Sequence, residues 1–391
     1  VAAGLALTTF GVAGCSGDAE PTEPPAPPVD LSALDVGSFK TSPRTIGTPN
    51  VDRARMSEGQ RLGGYLPTAS DVDSRFAYQS SKDSVAVFGF IEQVYTIGDS
   101  EKFKEDTPGF VAGFYSWGMS HDDILIADTL ANTAMIFDSE QSAAAATDAL
   151  AKRKRESKES FVPVDIPGFK VGNAFWDPAR QELFAVASYN KIVLYTVIKD
   201  YAMIEVGTTN LGTMTTLAEK NSTVVRQRLS EFEPTPVDKL TAIEMDHDQL
   251  LGHSLTRPEG EGAKNPPGIY DRRGARHLSI DPISDNKLYE EAGLEWLGVN
   301  GTELYQAKDS DGAQLIAATH SALNKKLRSA DSPKGLPETK CNEYKIKSSL
   351  TTRFHCTLVY DRYVIEVRSN QLIDAHQRIS AQYILLNSMG K

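Results

Sequence analysis

Cysteine is scarce: three in 391 residues, with Cys15 alone near the start and Cys341 and Cys356 together near the end. That count excludes a disulfide-stapled scaffold, and the spacing offers no Cys-x-x-Cys pair for zinc or redox chemistry. Positive charge is also in deficit. With 41 Lys and Arg against 52 Asp and Glu the net charge is −11. A nucleic-acid partner is therefore disfavoured, since neutralising phosphate needs a basic face. Aromatic residues are 8% of the chain and dispersed, which leaves no platform on which bases stack. Gly-rich phosphate loops and dinucleotide fingerprints are missing, so no cofactor is expected. What remains is globular material, 40% hydrophobic and 24% charged, long enough for two ordinary domains.

The opening residues carry an address. Val1 to Gly14, "VAAGLALTTFGVAG", are uncharged and apolar or small. The run is too short to span a bilayer as a helix, but it suits the hydrophobic region of an export signal. It ends in Val12-Ala13-Gly14-Cys15, which resembles the bacterial lipobox. That resemblance implies diacylglycerol transfer to the Cys15 sulfur and cleavage before it, the small residues letting the peptidase reach the backbone. No Met and no basic segment precede Val1, so the sequence is expected to begin inside its signal, residues 1–14. Ser16 to Val29, "SGDAEPTEPPAPPV", are acidic and Pro-rich, cannot pack a core and stay extended; residues 15–35 read as a tether. Each buried acyl CH₂ contributes roughly 0.8 kcal/mol, so the expected location is the extracytoplasmic face of the cell membrane. In a cytosolic protein Cys341 and Cys356 would be free thiols; in an exported one they read as a disulfide. It would close a loop of about fifteen residues, with a contribution of about 3 kcal/mol in the chain-entropy model.

After the tether the pattern is mixed strand and helix. Ser84 to Val94 alternates as a strand does. Asp138 as N-cap with Gln141 three residues later opens an Ala-rich helix that ends in Lys152-Arg153-Lys154-Arg155. That basic run suits the negative end of the helix dipole better than a phosphate or lipid headgroup. Glu182 to Asp200 reads as two strands around a Tyr-Asn-Lys turn, and a helix over about Leu211 to Phe232 is stopped by Pro234 and Pro236. The last third repeats this order. Asp311 and Gln314 occupy N-cap and N3 places of a second helix ending in two lysines, Phe354 to Val367 repeats the hairpin around Tyr360-Asp361-Arg362, and Ile373 to Leu386 repeats the closing helix. In that helix Ile379, Tyr383 and Leu386 are spaced to face a sheet. Such agreement argues for duplication, with convergence on a common strand–helix–hairpin–helix unit as the alternative. The expected fold class is α+β: two related modules, each a mostly antiparallel sheet with helices packed on one face. The N-terminal domain is placed at 36–256, a Pro- and Gly-rich linker at 257–268, and the C-terminal domain with the disulfide at 269–391.

Reactive constellations are weak. Gly252-His253-Ser254 approaches a hydrolase elbow, but Thr256 stands where the last Gly belongs and no strand precedes it. Ser120, His121 and Asp122 are consecutive, and neighbours in sequence usually point apart, so a triad is not expected. Asp246, His247, Asp248 and His253 are metal-capable yet lack a helical or hairpin ligand spacing. Asp309-Ser310-Asp311-Gly312 begins like a Ca²⁺ loop, but the twelfth position is His320 rather than a bidentate Glu. Asn221-Ser222-Thr223 and Asn300-Gly301-Thr302 are formal sequons, read as helix and turn polar residues. No catalytic residue and no metal site is assigned.

Three stretches, "GIYDRRGARH" (Gly268 to His277), "CTLVYDRYVIEV" (Cys356 to Val367) and "RISAQYILL" (Arg378 to Leu386), together with the lipobox, resemble a family of lipoproteins from mycolic-acid-bearing actinobacteria (mycobacteria, nocardiae and their relatives). The resemblance covers most of the chain after the tether and is most specific in the last third. It implies an N-terminal and a C-terminal α+β module outside the cytoplasm, and no catalytic residues. The expected function is a non-enzymatic envelope protein that binds a hydrophobic or glycolipid ligand or a partner protein. The alternatives are a serine hydrolase of envelope lipids or peptidoglycan through Ser254 or Ser120, and an accessory or sensor module of a membrane complex.

Overall fold

The structure is a computed structural model; it describes residues 29–79, 86–88, 100–157, 160–170, 173–258, 267–346 and 352–389. The expected signal, Cys15 and the tether up to 28 lie outside the described residues, as do 259–266 of the expected linker and most of the expected strand at 84–94.

The strands pair antiparallel and form two sheets of seven, with the longest and most buried strands at the centre of the first. The N-terminal half runs α1 (Val51–Gly63), α2 (Ala69–Val72), β1 (Ala86–Phe88), α3 (Ser100–Asp106), β2 (Phe110–Met119), β3 (Asp128–Phe137), α4 (Glu140–Ser157), β4 (Val162–Pro163), β5 (Ala174–Asp177), β6 (Glu182–Tyr189), β7 (Ile192–Asp200), α5 (Tyr201–Val206) and α6 (Leu211–Leu229). The C-terminal half runs β8 (Gly268–Asp271), α7 (Arg272–Ala275), α8 (Pro282–Glu291), β9 (Leu294–Val299), β10 (Glu303–Ala307), α9 (Ser310–His320), β11 (Leu327–Ala330), β12 (Lys340–Tyr344), β13 (Phe354–Tyr360), β14 (Tyr363–Ser369) and α10 (Leu372–Asn387). Strand order is β1-β2-β3-β7-β6-β5-β4 in one sheet and, read from its other edge, β8-β9-β10-β14-β13-β12-β11 in the second. These are the same topology, and helices α3, α4 and α6 fall where α8, α9 and α10 fall.

Register agrees as well as order. Tyr189 pairs with Ile192 across one hairpin and Tyr360 with Tyr363 across the other, 171 residues on. Asn190 and Asp361 each take φ +51° in the turn, a left-handed conformation that Asn and Asp tolerate. The helix caps sit slightly apart from where the sequence pattern put them. Ser139, not Asp138, accepts from the Ser142 amide, and Asp309, not Asp311, accepts from Gly312 N at 2.8 Å. Several capping residues stand in a row at each place, and only backbone geometry selects one.

Helices cover both faces of each sheet. Strands such as β6 and β7 are buried along nearly their whole length, so neither face can meet water. α4 covers one face over Phe175, Phe184 and Tyr195, while α6 covers the other over Leu183, Ala185 and Ile198. In the second copy α10 lies over Cys356, Ile365 and Val367. The halves are joined rather than strung: one core cluster runs from Leu62, Phe114 and Leu194 to Tyr270, Leu297 and Val364. Residues 29–44 lie on the C-terminal module. Leu34 is buried there with Leu336 and Phe354, Gln377 donates to Asp35, and Arg44 donates to the carbonyls of Leu251 and Ser254, in a segment that packs on this module through Leu250 and Leu255. Composition assigned 31–35 to the tether; four apolar residues within it and beside it, Val29, Leu31, Leu34 and Val36, find a place on this core.

Candidate functional site

The sequence candidates do not assemble. Ser254 is buried and its Oγ donates to Leu250 O at 2.6 Å, while His253 Nδ1 faces Gln249 O. Ser120 Oγ accepts from Asp128 N at 2.8 Å, and His121 turns to its own loop, accepting from Asp123 N. Asp246 caps the amides of Leu251 and Gly252, His247 stacks on Trp296 at 4.1 Å, and Asp248 takes a hydrogen bond from Gln306. Of the sequons, Asn221 is sealed in a net with Asn132 and Thr196, and Asn300 accepts from Arg257 N. Cys341 and Cys356 are opposed on β12 and β13, their sulfurs at disulfide distance, 2.01 Å.

"GIYDRRGARH" fastens the two copies. Gly268 lies so close to α1 that a Cβ there would meet Gln60 Nε2 at 1.9 Å. Arg276 pairs with Asp71 at 2.7 Å. His277 is fully buried between Ser116 Oγ (2.7 Å) and Leu66 O (2.8 Å), its ring edge-on to Phe114. A carbonyl only accepts, so Nε2 carries the proton. Burial pushes this imidazole down to about 4, so it is neutral at physiological pH. Beside this seam a cleft of about 270 Å³ opens between the modules, lined by Arg61 of α1, Tyr65 just after it, Ile243, His247 and Trp296.

The duplication exposes the layer where the copies differ. Under α4 the sheet presents Met135, Phe175, Phe184 and Tyr195, with Leu150 from the helix. Matching register puts Tyr305, Asn342, His355 and Glu366 in those strand places, and His320 in that of Leu150. An apolar layer has become an ionic one. Glu366 is 1% exposed and is held between His320 Nδ1 and His355 Nε2, the latter at 3.1 Å. Arg368 stands 3.7 Å from it, and Asp285 of α8 lies 3.6 Å from His320 Nε2, an ion-pair distance. Burial opposes charge on His320, but Glu366 and Asp285 outweigh it and raise this histidine to about 9. Tyr289 of α8 closes the layer against Tyr305 and His320.

In the N-terminal copy the corresponding place is open. Between α3 and α4 lies a cavity of about 610 Å³ whose wall includes Phe103 and Leu150, with Tyr195 at its base. Tyr195 is 5% exposed, and its hydroxyl has no hydrogen-bond partner among the described residues. Burial, with Glu182 nearby, lifts the phenol above its ordinary range, so it stays a donor. Four cations line the same cavity, Lys102, Lys152, Arg153 and Lys154, against Asp106 and Glu156. Arg153 is paired with Asp106, and Lys154 pairs with Glu182 while lying over the rings of Phe161 and Phe184. The basic run thus closes α4, as its dipole favours, and also brings cations to the cavity mouth, with Arg153 and Lys154 held by acidic partners. Sequence reading missed Lys102 and Tyr195, because 93 residues separate them from each other and neither forms part of a motif. It missed the ionic layer for a different reason: only aligning the copies at the hairpins sets His355 against Phe184.

A family profile described as "Domain of unknown function (DUF7373) N-terminal" matches residues 46–245, and one described as "Domain of unknown function (DUF7373) C-terminal" matches residues 250–389. No curated protein and no solved structure matches the chain.

Proposed function

The chain belongs to the DUF7373 family, and on that footing we propose that it is a lipid-anchored, extracytoplasmic, non-enzymatic protein that binds an anionic amphiphile in the cavity between α3 and α4. The cavity is the observation that carries the reading. Its volume of about 610 Å³ falls in the range of roughly 300–1,000 Å³ typical of ligand sites. A partly apolar wall (Phe103, Leu150), a phenol with no hydrogen-bond partner among the described residues and lysines at the mouth together suit one kind of molecule: an acyl or similar chain that ends in a carboxylate or phosphate. The lipobox-like Cys15 and the Pro-rich stretch after it support an anchor, and the resemblance to actinobacterial envelope lipoproteins supports the same location. Hydrolysis at Ser254 or Ser120 has no support, since each hydroxyl is already engaged by backbone and neither meets a histidine.

Two measurements test this. A fluorescent carboxylate-headed amphiphile should bind the full-length protein saturably, and Lys152→Glu should weaken it by about tenfold, as expected when a favourable charge–charge contact is reversed near a low-dielectric wall. Tyr195→Phe should weaken it about threefold to tenfold through loss of one hydrogen bond. Equal binding of an uncharged analogue, or indifference to both substitutions, would remove the cavity from consideration. Separately, detergent phase partitioning should place the wild type in the detergent phase and Cys15→Ala in the aqueous phase. A wild type that stays aqueous when expressed in an envelope-bearing host contradicts the anchor.

A further inference from the structure

We infer that, when reduced, Cys341, Cys356 and His376 form a site for a thiophilic divalent ion such as Zn²⁺. Among the described residues these three are the group of His, Cys, Asp or Glu side chains whose ligand atoms converge, all within 4.8 Å of one another. Cys341 and Cys356 face each other across β12 and β13 with Cα atoms 4.0 Å apart, and both are buried. His376 approaches from the second turn of α10. Its Nε2 donates to Asp331 O at 2.7 Å, which fixes the ring and, since a carbonyl only accepts, leaves Nδ1 with its lone pair. Metal-bound histidines are held in the same way, by a hydrogen bond from the nitrogen that does not ligate.

The duplicated fold argues that the cysteines are not needed to hold the sheet. In the N-terminal copy the equivalent cross-strand pair is Ala174 opposite Ala185, both buried in an apolar cluster under α6. That copy keeps the same strand order and hairpin register without a bridge. Two sulfurs and a histidine at one point of the second copy are therefore an addition to a fold that manages with two methyl groups. A tetrahedral Zn²⁺ at about 2.3 Å from sulfur and about 2.0 Å from nitrogen holds its ligands roughly 3.3–3.8 Å apart. The sulfurs would separate after reduction and the imidazole would close in on them.

The chemistry balances with an external dithiol as reductant. Its thiolate attacks one sulfur, the S–S bond breaks, and a mixed disulfide forms. The second thiol of the reductant then resolves it, leaving as a cyclic disulfide and having supplied two electrons and two protons to Cys341 and Cys356. Binding of M²⁺ expels those two thiol protons, so two thiolates neutralise the ion. Three protein ligands leave a fourth position for water. In the oxidised state the sulfurs hold no negative charge and the site is closed, which makes metal uptake a report of the redox state around the protein.

Co²⁺ serves as the spectroscopic probe. The full-length chain is reduced with a phosphine, exchanged without oxygen into buffer and titrated. The expected result is one equivalent of Co²⁺ with thiolate charge-transfer absorption and tetrahedral d–d bands, both absent from the oxidised protein. Cys341→Ser should abolish the charge-transfer band or halve it, and His376→Ala should weaken binding by at least about tenfold. Circular dichroism of the reduced, metal-free chain is recorded alongside. The inference is overturned if the reduced and folded chain binds no more cobalt than a Cys341→Ser/Cys356→Ser variant. It is equally overturned if His376→Ala binds as the wild type does, or if reduction alone unfolds the C-terminal module, which would leave the ligands without a scaffold.

Discussion

Glu366→Gln is expected to cost about 3–5 kcal/mol of stability, the range found when one partner of a buried ion pair is removed and the other charge is left uncompensated. Glu366 is buried beneath α9 with His320 on one side, His355 on the other and Arg368 beyond. The neutral amide removes the carboxylate that both Arg368 and His320 face. A urea midpoint reads the loss. The informative comparison is a quadruple substitution that installs the residues of the N-terminal copy, His320→Leu, His355→Phe, Glu366→Tyr and Arg368→Val. Replacing a buried ionic group by well-packed apolar residues is often neutral or stabilising, so this variant should recover most of what Glu366→Gln loses. Tyr195→Phe, in the matching place of the first copy, should change stability by less than about 1 kcal/mol, since its hydroxyl is bonded to nothing among the described residues. A Glu366→Gln variant as stable as the wild type would mean that the ionic layer is hydrated and that its charges are screened.

Acid should loosen the seam between the modules before it reaches the carboxylates. His277 is a base whose folded value lies near 4, below its ordinary 6.5. The unfolded chain therefore takes up the proton first. Stability from this group is fully present above pH 6.5 and is lost as pH falls through 4, by roughly 3 kcal/mol in all. His320 works the other way. Its folded value is near 9, so its contribution is complete below pH 6.5 and fades as pH rises through 9, by a similar amount. Unfolding free energy measured from pH 4 to 9.5 should thus fall at both ends, with the acid limb flattened in His277→Asn and the alkaline limb flattened in His320→Leu. An acid limb that keeps its slope in His277→Asn would assign it to other groups.

Much of the fold was legible in the sequence. Both hairpins sit where Tyr-Asn-Lys and Tyr-Asp-Arg turns put them, because apolar strands flanking a residue that tolerates positive φ leave little choice. The duplication was legible for the same reason, since turn chemistry and helix ends are local. The second covered face of each sheet and the shared core were not. They depend on which distant helix returns to cover a strand, as α6 and α10 do, and no window of sequence contains both partners. Chemistry at the candidate sites divides along the same line. Ser120, Ser254 and Asp246 sit in local patterns, and local backbone consumes each of them. Lys102, Tyr195 and His376 belong to no pattern, and they meet their neighbours only through sheet pairing and helix packing.

The most direct measurement is native mass spectrometry of the full-length protein purified from an envelope-bearing host, followed by extraction of whatever it holds. One anionic amphiphile of defined mass per chain is expected, at reduced occupancy in both Tyr195→Phe and Lys152→Glu. A wild-type protein that emerges empty, and stays empty when incubated with the host's own lipid extract, would contradict the binding role assigned to the cavity between α3 and α4.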